Sequence, residues 1–312
     1  MVPTGHRRVP RLPYAARHRC RWRLPRNGDD VRRWWGTTVL VALTVGAGGC
    51  DSLLSEEKLS TFAPEAGVCH ATASNERSPK SYTPIPCSSK HEVETFLVGR
   101  FDGADAAAKA PPAADTEAIW RVYESCDAEA ARFLGGEWRE SRLAMRALTP
   151  SAARWKAGER WYRCDLLEMH AVDRWFPNPR ANSLRNGLTG DSPLRYTCFT
   201  EPAESGDTVD LPPASCSGPH ATEFAGIWWA EPEVEEITDE VLDAGCLSTV
   251  SEYVGAPAGD LDGRLDVFAL LPEGEPEWLA GTPGVWCFLY SPDRPLNTSL
   301  KGVGRTGLAE AR

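Results

Sequence analysis

The chain lacks the short motifs that mark common catalytic sites. It has no G-x-S-x-G turn to expose a nucleophilic serine, no C-x-x-C redox pair, no P-loop and no dinucleotide-binding glycine fingerprint. His91-Glu92 is followed by Thr95 where a helical zinc-protease motif needs its second histidine. Ser55 and Lys58 have penicillin-binding spacing, but neither S-D-N nor K-T-G accompanies them. These absences remove nucleotide-driven, dithiol-redox and the familiar serine and zinc hydrolase chemistries. The apolar run of residues 39–49, VLVALTVGAGG, falls short of the about 20 residues that a membrane span requires.

Basic charge is scarce beyond the N-terminus. Residues 1–49 hold 10 Arg and 2 Asp; removing them from the 34 basic and 44 acidic residues leaves 24 and 42, a net charge of −18. So acidic a surface repels phosphate backbones, which excludes nucleic acid as a partner. It also repels anionic lipid head groups. What the N-terminus does carry is a charged segment (Arg32, Arg33), an apolar stretch and the small-residue exit Ala47-Gly48-Gly49-Cys50. That order reads as a secretory signal, with Val31 a candidate start and Arg32-Arg33 a weak twin-arginine pair. The exit resembles a bacterial lipobox, which predicts lipidation of Cys50. A diacylated cysteine supplies the two chains that stable anchoring needs. The expected location is the extracytoplasmic face of the cell membrane, with residues 1–49 as leader and 50–64 as tether.

Ten cysteines less Cys20 and Cys50 leave eight, in two sets of four: Cys69, Cys87, Cys126, Cys164, then Cys198, Cys216, Cys246, Cys287. Both sets open with an interval of 18 residues. In both, a histidine follows four residues after the second cysteine (His91, His220) and a glutamate three residues later (Glu94, Glu223). The repetition predicts two tandem copies, residues 65–190 and 191–305, with 306–312 as tail. An even cysteine count outside the cytoplasm reads as disulfides. The favoured pairing is Cys69–Cys87, Cys126–Cys164, Cys198–Cys216 and Cys246–Cys287; a crossed pairing such as Cys69–Cys164 competes with it. Cys87-x-x-x-His91 and Cys216-x-x-x-His220 also look like half of a zinc site. No second close pair completes either, so no metal or cofactor is expected.

Apolar residues at helical spacing predict helices over 115–134 and 238–254. Gly135 and Gly255 stand as C-terminal stops, Thr238 as N-cap, and Ile237 as a staple onto Leu242. Aromatic and β-branched runs at 93–98, 160–166, 223–229 and 285–290 predict strands. The fold class that follows is α+β: two tandem disulfide-stapled domains, each a small antiparallel sheet with a packed helix, joined through the Pro-, Asn- and Gly-rich stretch 176–193. Trp228-Trp229 and Trp175-Phe176 are expected in the core rather than on a contact surface.

One family resemblance emerges. Gly67-Val68-Cys69, Ile85-Pro86-Cys87-Ser88-Ser89-Lys90-His91-Glu92-Val93-Glu94, Cys126, the segment Pro150 to Arg160 with Trp155, Gly158 and Arg160, and Cys164 resemble the septum-formation domain of actinobacterial envelope proteins. Ser183-Leu184-Arg185-Asn186-Gly187 matches its S-L-R-G ending. The second copy keeps Cys216, His220, Glu223, Cys246, Trp278, Gly281, Cys287 and Ser299-Leu300-Lys301-Gly302, but has Thr282 and Pro283 after the glycine instead of the x-Arg pair. The resemblance implies a link to cell division and envelope or division proteins as partners; it implies no activity. The expected function is a lipid-anchored binding or scaffold protein, not an enzyme. The alternative is an envelope hydrolase using the His-x-x-Glu pair for acid–base chemistry.

Overall fold

A computed structural model describes residues 62–73, 82–114, 116–172, 174–205, 208–230, 238–270 and 284–310. The leader with Cys20 and Cys50, the tether as far as residue 61, Ile237, Trp278 and Gly281 lie outside the described residues, as does the side chain of Trp175; Phe62, at the end of the expected tether, packs against Tyr82 and Trp161.

The first half builds one antiparallel sheet from β1 (Val68–His70), β2 (Pro84–Ile85), β3 (Val93–Arg100), β4 (Leu143–Leu148), β5 (Trp161–Ala171) and β6 (Arg174–Pro177). Its order is β2-β1-β3-β5-β4, with β6 added to β5. The second half follows with β7 (Cys198–Phe199), a separate hairpin of β8 (Ala203–Ser205) and β9 (Thr208–Asp210), β10 (Pro213–Ala214), β11 (Thr222–Trp229), β12 (Asp266–Leu270) and β13 (Gly284–Tyr290). The order of its sheet is β10-β7-β11-β13-β12, the same path as the first. The register also agrees. Cys69 pairs with Glu94 as Cys198 does with Glu223, and Ala147 pairs with Cys164 as Ala269 does with Cys287. Both sheets shift register at the same place, between Thr95 and Leu97 and between Phe224 and Gly226; the first shifts again between Met169 and Ala171, where β6 pairs.

One long helix covers one face of each sheet. Helices α1 (Gly103–Ala107), α2 (Glu117–Leu134) and α3 (Ala152–Lys156) belong to the first half. Helices α4 (Asp239–Val254), α5 (Ala258–Leu261) and α6 (Gly304–Glu310) belong to the second. The predicted stripe of α2 is buried: Ile119, Val122, Tyr123, Cys126, Ala130, Phe133 and Leu134. They meet Phe96, Met145, Cys164 and Leu166 of the sheet. The side chain of Thr238 accepts from Val241 N–H at the start of α4. Gly135 and Gly255 end their helices at φ 73° and 75°, the left-handed conformation that favours glycine. No helix among the described residues is long and apolar enough to cross a membrane.

All four favoured cysteine pairs stand at disulfide distance, with Cα separations of 5.1, 5.6, 5.3 and 5.0 Å. The first and third join hairpin-like ends; the second and fourth join helix to central strand.

Three expectations need correction. Strand β4 was not predicted, because Leu143-Ala-Met-Arg-Ala-Leu148 has no β-branched residue. Its pairing with β5 overrides a helix-like composition. The stretch 176–193 is packed rather than a free junction. Its amides bond back to the first half, Arg180 to His91 O, Asn182 to Cys87 O and Leu188 to Leu134 O, at 2.7–2.9 Å. Leu184 and Leu188 enter the core, and Asn182 and Asn186 take positive φ to make the turns. Finally, Trp229 and Phe176 are 44% and 72% exposed, not core, while Trp228 packs partly buried against α4 and β13.

The halves meet closely. The indole Nε1 of Trp286 donates to Arg139 O at 2.8 Å, and the Arg139 guanidinium lies over the Trp229 ring, 5.2 Å from its centre. Val172 of the first half joins the cluster of Phe224 and Trp286.

Replacing both Cys126 and Cys164 by alanine should cost about 4 kcal/mol, the chain-entropy value for a 38-residue loop. Urea unfolding of the two proteins checks this; a loss below about 1 kcal/mol would mean that packing alone holds α2 on the sheet.

Candidate functional site

The histidine and glutamate of each copy sit at one end of the sheet, beside the first disulfide. His220 Nδ1 donates to Gly218 O at 2.8 Å, because a carbonyl only accepts. Its Nε2 lies 3.0 Å from Glu223 Oε1. Glu223 is fully buried and saturated: it accepts from Tyr253 Oη (2.6 Å), Ser299 Oγ (2.8 Å) and the Leu300 amide (2.9 Å). The first half repeats this only in part, since His91 Nε2 meets no hydrogen-bond partner among the described residues. His91 Nδ1 donates to Ser89 O at 2.8 Å, and Glu94 accepts from Ser183 Oγ and the Leu184 amide, both at 2.6 Å. Phe133 stands seven residues after its cysteine where the second copy has Tyr253, so the first glutamate has no phenol. Each serine oxygen also accepts the amide two residues on, from Arg185 and Lys301. The pairs therefore close turns: the carboxylate ties the Ser-Leu segment to the sheet, and the histidine ties the turn after the cysteine. All four side chains are buried, which hides them from a substrate.

Two groups of possible metal donors gather here: Cys69, Cys87 and Glu94, and Cys198, His220 and Glu223, with ligand atoms within 4.8 Å. The cysteines are joined in disulfides, so neither group offers the thiolates that zinc prefers.

Trp155, Gly158 and Arg160 form a second clamp. Gly158 turns at φ 100° and brings the Arg160 guanidinium over the Trp155 ring, 4.2 Å from its centre. Trp155 Nε1 donates to Ala108 O at 2.7 Å, and Arg160 Nε donates to Ala106 O. Together they hold the end of α1. Arg154 and Glu159 form a buried ion pair beneath, and Glu159 also receives Phe62 N–H and Trp161 Nε1.

A family described as septum formation matches residues 66–287, which spans the whole stretch from the first paired cysteine to the last. The chain belongs to the septum-formation family. No curated protein and no solved structure matches it. In this septum-formation protein the paired cysteines, both glutamates of the His-x-x-Glu pairs, the Ser-Leu turns and the Trp-x-x-Gly-x-Arg segment all make contacts within the fold.

Sequence reasoning missed a third feature. On the sheet face turned away from α2, His70, Thr95, Arg146, Arg163 and Asp165 lie together. All are buried except Arg146, which is partly so. Thr95 Oγ1 donates to Asp165 Oδ1 at 2.7 Å and lies 3.3 Å from His70 Nε2. Arg146 Nε donates to Asp165 Oδ2 at 3.2 Å. By register, the matching positions of the second sheet are Phe199, Phe224, Phe268, Trp286 and Phe288. The only signal in the sequence was Arg163 and Asp165 flanking a cysteine in a strand, which ordinarily means a solvated face. Burial, and next the Arg163 charge, push the His70 imidazole down to about 4.

Glu94→Ala and Glu223→Ala should each cost about 2–4 kcal/mol, since each leaves buried donors unpaired. Hydrogen exchange localises the loss: the Leu184 amide alone should quicken in the first variant and the Leu300 amide alone in the second. His70 titrates lower folded than unfolded, so its contribution is complete above about pH 6.5 and is lost as pH falls toward 4, roughly 3 kcal/mol in all. The substitution His70→Phe should remove that slice of the acid dependence in unfolding curves taken across this range.

Proposed function

We propose that this chain is a lipid-anchored scaffold or binding protein on the extracytoplasmic face of an actinobacterial cell membrane, built of two tandem septum-formation units and serving septum formation through protein contacts. It carries out no reaction of its own. The observation that carries this reading is the use of both His-x-x-Glu pairs as internal clamps: the carboxylates are spent on Ser183, Leu184, Ser299 and Leu300. That leaves the acid–base alternative without an accessible group. Common strand order, common register and matching disulfides support the tandem reading. Family membership supports the septal role. The exposed rings of Phe176 and Trp229 are candidate contact points.

The full chain expressed in a bacterial host should fractionate with membranes, incorporate a clickable fatty acid and concentrate at division septa as a fluorescent fusion. Cys50→Ala should abolish the labelling and release the protein from the membrane. An unlabelled wild type, or a Cys50→Ala variant still held in the membrane, would refute the anchor; an even distribution around the cell would refute the septal role.

A further inference from the structure

We propose that the polar face of the first sheet is a binding site for a single small monovalent anion, chloride in ordinary ionic media, with Arg163 as its principal donor. Arg163 is 0% exposed, and none of its three guanidinium nitrogens has a hydrogen-bond acceptor among the described residues. Its one ionic contact among them is Asp165 Oδ2 at 3.2 Å, outside hydrogen-bonding alignment. That carboxylate is already committed: Oδ1 accepts from Thr95, and Oδ2 accepts from Arg146. Two guanidinium groups thus share one carboxylate, and Arg146 also donates to Ala73 O at 3.0 Å. A buried guanidinium with no aligned acceptor is among the costliest arrangements a core can hold.

The second sheet shows that the scaffold does not require it. With the same strand order and register, that sheet fills the five positions with aromatic rings stacked on one another. The charged face is therefore an addition to the fold, and buried charge without a fold requirement points to a ligand. The enclosure sets its size. The Tyr82 ring lies over Arg163, 5.8 Å from Cζ. Phe62 and His70 pack against Tyr82, and Phe62 against Trp161. A guanidinium enclosed by these rings is closed to an organic acid without their displacement. The sign agrees with His70, which Arg163 and Arg146 both drive toward its neutral form.

Crystals of the protein lacking residues 1–49 and grown in sodium bromide should show an anomalous peak within about 3.5 Å of the Arg163 guanidinium. In solution, each tenfold rise in chloride above half-saturation should lower the unfolding constant about tenfold relative to gluconate at equal ionic strength. Arg163→Met should abolish that difference. A bromide map with water alone beside Arg163 would overturn the proposal, and so would a chloride effect of equal size in Arg163→Met. If Arg163→Met does not fold, the bromide map on the wild-type sequence decides.

Discussion

Each half is organised around one buried cysteine in its central strand, Cys164 in β5 and Cys287 in β13. The sulfur is bonded to the covering helix, so it fixes which face of the strand looks at that helix. Strand side chains alternate, so the residues on either side must point the other way. Arg163 and Asp165, or Trp286 and Phe288, have no choice of face once the cysteine is tied. Helix position, strand polarity and the content of the opposite surface all follow from that one covalent contact.

Much of this was readable from local pattern. Helical spacing, the capping residues Thr238, Gly135 and Gly255, and the aromatic strands are signals spread over a few residues. The repeated interval of 18 pointed to the hairpin disulfides. What stayed hidden depends on distant partners. Glu94 meets Ser183 across 89 residues and Glu223 meets Ser299 across 76, and no local periodicity encodes such a pair. Leu143–Leu148 becomes a strand only because β5 offers an edge. The burial of Arg163 and Asp165 has no local signal, because strand alternation does not say what covers a face. The Asn and Gly content of 176–193 correctly marked turns, yet turn chemistry alone does not separate a packed turn from a loose connection.

Comparing the halves separates what the fold needs from what it can vary. The disulfides, the carboxylate clamps and the register recur, and each has a mechanical reason to exist. The Trp155–Arg160 stack holds α1 in the first half, and the second half has Thr282 and Pro283 where the x-Arg pair would stand. The departures are therefore where the halves acquire separate duties: a charged, sealed face in one, an aromatic face in the other.

The bond from Trp286 to Arg139 and the ring of Tyr196 set into the second sheet give that aromatic face a long-term meaning. Part of that face is covered by the other half of the chain, through Arg139 and Val172. A unit in that condition has lost the option of a solitary existence, since freeing it would bare an adhesive surface. Cutting the chain between the halves would bare the Trp286 side of that cluster to water.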